Sequence, residues 1–294
     1  MRQFTFAGVP ADSSGQQGRF DQAPSALRDL GLATAIDAID VGDLDTLITG
    51  RRRDSDSGLN ALEGVIEATL VLERRTSQLV QNGKMPFLCG GCSALAVGAV
   101  AGAAAALGQI GLVYVNAHSS LHDGETSPTG HAASMALAAL LGRGPQVWTA
   151  LLGPGPILKS DHISLIGVRD HEETEQSGTL VRTDFQPPIR EFTNEQIRTQ
   201  GAASVGQATE KLLAQSPGHF WVHLDLDVMD EMVFPATGSL LPGGLDWEEL
   251  GAVLGPLLTS RHLAGISLAG YDPGRDEGSS CGLHLVDLFR SVCR

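Results

Sequence analysis

Short apolar runs alternate with helical segments along the whole chain, and this alternation constrains the fold more than any other feature. The runs are "FTFAGVP" (4–10), a short strand inside "AIDAIDVGDL" (35–44), "MPFLCGG" (85–91), and residues 111–117, 162–168, 219–226 and 262–269. Helices are predicted between them over 23–32, 57–83, 93–107, 131–142, 194–214, 246–259 and 281–292. The segment 57–83 has a Ser start, apolar residues three and four apart, and Gly83 as a stop. Residues 23–32 carry a Pro in the first turn, where its missing N–H costs nothing. Strand–helix alternation of this kind predicts right-handed βαβ units and one parallel sheet covered on both faces. No repeat, low-complexity tract or linker interrupts it, so residues 1–294 are expected to form a single domain. The Gly/Pro-rich "LLGPGP" (151–156) is a loop within that domain, and "SGTLVRTDFQPP" (177–188) a surface excursion.

Charge narrows the partners. The formal net charge of -14 repels polyanions, which argues against nucleic acid and anionic membrane surfaces. No run approaches about 18 uninterrupted apolar residues, so no transmembrane helix is expected. "MRQFTFAGVPADSSG" has no apolar core long enough for a signal peptide. The four cysteines are too few for a disulfide framework in so long a chain, and a reducing cytoplasm fits best. Cys89 and Cys92 form a C-x-x-C, but no second such pair or His pair at zinc-finger spacing accompanies it. The expected partners are a small-molecule substrate and, in a homo-oligomer, further copies of the chain.

In open parallel sheets ligands lie beyond the carboxyl ends of the strands. The polar loops there are "CGGCSAL" (89–95), "NAHSSLHDGETSPTGH" (116–131), "GVRDHEETE" (167–175), "DLDVMDEMVFPATG" (225–238) and "AGYDPGRDEG" (269–278). Asp225 and Asp227 stand two apart at the end of an apolar strand, so both carboxylates face the same way. Such a pair repels itself unless a cation or a shared proton relieves it, although capping a helix or pairing with an arginine would serve as well. Asn116, His118 and Ser120 likewise alternate at the end of another strand. His118 beside the two aspartates would make a divalent-cation site with nitrogen and oxygen ligands, to which Asn116 could add a neutral oxygen.

Taken together the segments resemble the arginase/agmatinase/formiminoglutamase family, the ureohydrolases. The resemblance runs from "AGVPADSSGQQGRFDQAPSALRDLGL" through "DVGDL", "GGCSALAVG", "VNAHSSLHDGETSPTGH", "IGVRDHEETE" and "LDLDVMDEMVFPATGSLLPGGLDWEEL" to "GISLAGYDP". It implies a three-layer α/β/α sandwich with a parallel, mostly eight-stranded sheet. It also implies hydrolysis of guanidinium or formimino C–N bonds by a hydroxide bridging two Mn²⁺ ions.

Several positions depart from that pattern. The family's GGDHS is here "GGCSA", so the ligand histidine falls on Ser93, or on Cys92 with a shift of one residue. Its DAHxD is here "NAHSS", which turns the bridging aspartate into Asn116 and the second into Ser120 while keeping His118. Asp225 and Asp227 remain. The glutamate that grips the guanidinium falls on Gly270, and the proton-shuttle histidine remains as His131. Four carboxylates suit two divalent ions in charge, whereas two suit one at most. The implied cofactor is therefore at most one Mn or Zn ion, or none, with His118, Asp225, Asp227 and Asn116 as its ligands.

Three readings follow. One is a C–N hydrolase with a mononuclear site, in which His131, His118 and Asp225 are catalytic. Another is a metal-free enzyme that also uses Cys92, whose place just before a helix favours a thiolate. The third is a non-catalytic pseudoenzyme or binding module. Substrate contacts are expected from Glu172, Thr237, Gly270, Cys92, Ser93 and Ser120, and L-arginine and agmatine are expected to be poor substrates.

Overall fold

The computed structural model describes residues 3–14 and 20–293, so part of the segment "SSGQQGRF" falls outside the described residues. The described strands are β1 (Phe4–Gly8), β2 (Ile39–Asp43), β3 (Met85–Cys89), β4 (Gly111–Val115), β5 (Ile163–Ile166), β6 (Arg190–Phe192), β7 (Phe220–Asp225) and β8 (Leu263–Ala269). They form one eight-stranded sheet in the order β2-β1-β3-β8-β7-β4-β5-β6, and every pair is parallel.

Side-chain alternation divides the core in two. On one face Phe6, Phe87, Ile266, Val222 and Val113 lie abreast across five strands. They pack with Leu250, Leu254, Leu285 and Phe289 from the helices Trp247–Leu258 and Ser280–Val292. On the other face Ala7, Leu88, Ser267, His223, Tyr114 and Leu165 lie abreast. This row sits beneath the helices Leu62–Gln81 and Leu95–Leu107, whose Leu72, Val97 and Val100 belong to the same core. Two helix-covered faces make the three layers, and the carboxyl ends of all the strands open on one edge. Among the described residues no helix is long and apolar enough to cross a membrane.

Several boundaries differ from the sequence expectation. The segment predicted as helix 57–83 is helical only over Leu62–Gln81. Its first residues instead dock on the 121–131 loop: Asn60 donates its N–H to the Gly130 carbonyl at 2.8 Å and its Nδ2 to that of Thr129 at 3.0 Å, and a Cβ on Gly58 would stand 2.1 Å from the Gly124 carbonyl oxygen. Residues 194–214 break at Gly201 (φ 86°) into Asn194–Gln200 and Ala202–Gln215. Residues 131–142 contain a 3-10 turn (Ala132–Met135) before the short helix Ala136–Leu140. Strand β6 has no counterpart in the hydrophobic pattern, because Arg-Glu-Phe at a sheet edge carries no apolar run.

The Ala/Gly-rich helix Leu95–Leu107 owes its composition to close approach. A Cβ on Gly98 would lie 2.5 Å from the Thr69 carbonyl oxygen, and one on Gly102 would lie 2.2 Å from that of Glu73. Both obstacles are backbone atoms of the neighbouring helix, so relief requires the helices to part. Gly102→Ala is expected to cost about 1–3 kcal/mol, the usual range for overpacking. Urea denaturation measures it, and an unchanged midpoint would show that the helices separate freely.

Candidate active site

The site is built on the carboxyl edge where β4, β7, β3 and β8 end. Asp225 closes β7 and Asp227 follows in a tight 3-10 turn. Both are buried, and each of their four carboxylate oxygens accepts a hydrogen bond from the chain itself. Asp225 Oδ2 accepts the Ser93 hydroxyl, and Asp225 Oδ1 accepts the Asp227 N–H at 3.2 Å. Asp227 Oδ1 accepts the Ala117 N–H at 3.1 Å. Asp227 Oδ2 lies 2.6 Å from His118 Nδ1. His118 Nε2 turns to Ser239 Oγ at 3.2 Å. The geometry thus brings His118, expected beside the aspartate pair, onto Asp227.

The environments push the titrating groups apart. Burial opposes charging His118, but the adjacent Asp227 carboxylate, helped by Asp170 and Asp225, outweighs it and raises the imidazole to about 9. Burial, then the nearby Asp227 charge, raises Asp225 to about 7, against the pull of Ser93. Burial works against Asp227 as well, yet the His118 cation holds it below the ordinary carboxylate range. Near neutrality the site thus holds an imidazolium–carboxylate pair beside a carboxyl group poised between its two forms.

A cavity of about 310 Å³ opens above these groups. Of the residues expected in the site, Cys92, Ser93, Asn116, His118, Ser120, His131, Asp225, Asp227, Thr237 and Gly270 all line it. Glu172 does not. It is exposed on the helix His171–Ser177 with Gln176 Nε2 at 3.4 Å, and Glu173, one residue on, faces the cavity. The thiolate expected at Cys92 is also corrected. Burial pushes this thiol up to about 11, and its nearest polar partner is Ser13 Oγ at 3.3 Å. Burial lowers the pKa of His131, with Asp12 opposing.

Asn116 and Ser120 have other work. Asn116 Oδ1 accepts the His118 N–H at 2.8 Å, and its Nδ2 donates to Ser93 Oγ at 3.2 Å. Ser120, at φ 53°, accepts the Tyr114 hydroxyl at 2.8 Å. Gly270 is at φ 85°, and a Cβ there would stand 2.2 Å from Asp225 Oδ1. Asp225 is turned into the space that a side chain at 270 would fill.

Several positions that the resemblance assigns to a two-metal cluster are uncharged or otherwise engaged. Asn116 and Ser120 bring no charge, the Asn116 oxygen is committed to a backbone amide, and His118 Nδ1 is closed onto Asp227. Among the described residues no group of three or more His, Cys, Asp or Glu side chains is disposed to hold a metal ion.

Sequence reasoning missed His223, Ser267, Asp170, Glu173, His122 and Ser239. His223 carried a usable signal, since it stands two before Asp225 on the same strand face. Arg169 carries no such signal in the sequence. Its Nη2 donates to the carbonyls of Asp227 (2.8 Å), Met229 (3.0 Å) and Leu241 (3.1 Å), and its Nη1 donates to that of Val228 (3.1 Å). A lysine cannot reproduce this fork. Arg169→Lys is expected to speed limited proteolysis within 228–241 several-fold, and unchanged cleavage would show that the loop holds without the guanidinium.

This fold, with acidic and imidazole groups gathered at the carboxyl edge of the sheet, is that of a ureohydrolase. The arginase family model matches residues 2–293, and the chain belongs to that family. It is 29% identical to the arginase of Bacillus caldovelox over 99% of this chain and 98% of that one. The native structure of that enzyme superposes with a TM-score of 0.87, covering 100% and 98% of the two chains at 28% identity. Proclavaminate amidino hydrolase from Streptomyces clavuligerus shares the fold, with a TM-score of 0.70 at 18% identity over 100% of this chain and 91% of that one.

Proposed function

We propose that this chain is an arginase-family enzyme that hydrolyses a C–N bond of a small amide, imidate or modified guanidine, without a two-metal cluster, and that L-arginine and agmatine are poor substrates. One observation carries the reading. Each of the four oxygens of Asp225 and Asp227 already accepts a hydrogen bond from Ser93, His118 or a backbone amide, and the charge of the pair is relieved by the His118 imidazolium and by partial protonation of Asp225, so the pair does not require a cation. At most one divalent ion, Mn or Zn, binds here, and no step below depends on it. Gly270 supports the substrate part: no carboxylate stands there to grip a guanidinium, and Asp225 occupies the space of one.

The groups suit acid–base work. Water adds to the substrate carbon as Asp225 takes its proton. The C–N bond breaks as His118 gives a proton to the departing nitrogen. The proton on Asp225 then returns to His118 by way of His131, on the cavity wall, and solvent. Groups whose pKa values are driven apart by their surroundings divide acid and base roles in this way.

The test is a panel of amides, formimino compounds and substituted guanidines assayed with and without chelator. Turnover insensitive to chelator and reduced about 10²–10⁴-fold in Asp225→Asn is expected, the usual size of a general-base effect. Arginine hydrolysis that requires added Mn²⁺ would contradict the reading.

A further inference from the structure

Beneath the site a string of polar side chains runs through the interior of the sheet, among residues that are otherwise apolar. Trp221 and His223 of β7 and Ser267 of β8 are all fully buried. His223 lies abreast of Ser267 on one side and Tyr114 on the other, with the Tyr114 ring stacked on the imidazole at 4.9 Å between centroids. A buried imidazole is costly unless both ring nitrogens find partners. Here Nδ1 is 2.8 Å from Ser267 Oγ, and Nε2 is 2.8 Å from Ser93 Oγ. Behind them Trp221 Nε1 donates to Ser267 Oγ at 2.9 Å.

The direction of every proton follows from what each group is able to do. An indole N–H only donates, so Ser267 accepts from Trp221. If Ser267 also accepted from His223 Nδ1, its own proton would be stranded inside the sheet at the cost of an unmade hydrogen bond. Ser267 therefore donates to Nδ1, which leaves the ring proton on Nε2. The far end is fixed independently. Asn116 Oδ1 is held by the His118 amide, so Asn116 presents its Nδ2 donor to Ser93. Ser93 Oγ accepts from Asn116 and from His223, which uses both its lone pairs. Its single proton goes to Asp225 Oδ2. With no lone pair free, Ser93 is not the nucleophile that a serine beside a histidine would suggest.

We propose that His223 is a positioning residue of this site: backed by Ser267 and Trp221, it locks the Ser93 hydroxyl onto Asp225 Oδ2 and so fixes the orientation of that carboxylate at the floor of the cavity. The hydrogen bonds all run one way, from Trp221 through Ser267, His223 and Ser93 to Asp225. The importance of this chain for turnover rests on the acid–base reading above, but its existence does not. Members of such chains polarise one another, so a change at Trp221 is felt at Asp225 without any contact between them.

The test needs neither substrate nor activity. In the full-length ¹⁵N,¹³C-labelled protein at pH 8, where Asp225 is largely ionised, long-range ¹H–¹⁵N spectra are expected to show His223 protonated at Nε2 alone. A ring protonated at Nδ1, or at both nitrogens, overturns the proposal. Trp221→Phe removes the donor that holds Ser267 in its donating role, so it should give a mixture of the two tautomers. In that variant and in Ser267→Ala the Asp225 carboxyl ¹³C resonance should move while that of Asp227 stays. A folded variant in which Asp225 does not respond also overturns the proposal, and if neither variant folds the unmodified tautomer decides alone. Loss of the predicted C–N activity together with an intact Nε2–H tautomer would locate the failure in the functional reading.

Discussion

Asp227→Asn should strip His118 of its charge at neutral pH. In the unmodified protein burial alone would depress this imidazole, and the Asp227 carboxylate at 2.6 Å more than reverses that, to about 9. Removing the carboxylate leaves burial dominant, so the histidine should titrate at or below its ordinary value of about 6.5. The consequence for stability has a definite sign. A histidine raised from about 6.5 to about 9 contributes stability that is fully present below the lower value and lost as pH climbs through the upper one. The pair accounts for about 3 kcal/mol of such stability. Asp225 acts in the same direction over a lower window: its pKa is raised to about 7, so its folded form binds more protons and stability falls as pH rises from about 4 to 7. Urea denaturation of the unmodified protein should therefore show a falling midpoint from pH 6.5 to 8, below the range in which the buried thiols contribute, and Asp227→Asn should be nearly flat over that range. Equal slopes in the two proteins would mean that the imidazolium–carboxylate pair is absent in solution.

The second large effect is expected from rebuilding the family's ligands. Ser93→His, Asn116→Asp and Ser120→Asp return the missing imidazole and two carboxylates, raising the anionic ligands from two to four. Those three changes alone are expected to fail, because the His223 ring already lies 2.8 Å from Ser93 Oγ. A histidine at position 93 has no room beside it. With His223→Ser added, the quadruple variant should take up close to two equivalents of Mn²⁺. Metal analysis after gel filtration measures this. Two equivalents in the triple variant, with His223 intact, would show that the buried relay yields easily and that charge alone governs uptake.

How far the sequence carried this account differs from element to element. β1, β3, β4, β5, β7 and β8 are fully buried, and their apolar runs marked them out. β6 lies at the sheet edge with exposed Arg190, so no such run exists to be seen. The start of the helix Leu62–Gln81 was misplaced because Asn60 is hydrogen-bonded to, and Gly58 packed against, the distant loop at 124–130, a tertiary constraint that leaves no mark on local propensity. In the site, His118 and the aspartate pair were legible from their spacing of two at strand ends. Glu172 was misplaced by one residue, because which of Glu172 and Glu173 turns inward depends on how the helix His171–Ser177 is set against the sheet. The thiol of Cys92 illustrates the limit of local rules. A place near a helix start favours a thiolate, but burial pushes the other way and wins. The relay beneath the site was hidden because His223 and Ser267 belong to different strands, and their pairing appears only once β7 and β8 are in register.

The central claim is that this arginase-family site balances its buried aspartates with its own hydrogen-bond donors and not with a pair of cations. Metal stoichiometry tests it most directly. The unmodified protein, purified without chelator and dialysed against Mn²⁺ at neutral pH, should carry no more than one equivalent per chain, and that one weakly held and removed by brief gel filtration. Two equivalents that survive the same treatment would contradict the account and show that Asp225, Asp227 and His118 abandon the hydrogen bonds described here in favour of a cluster.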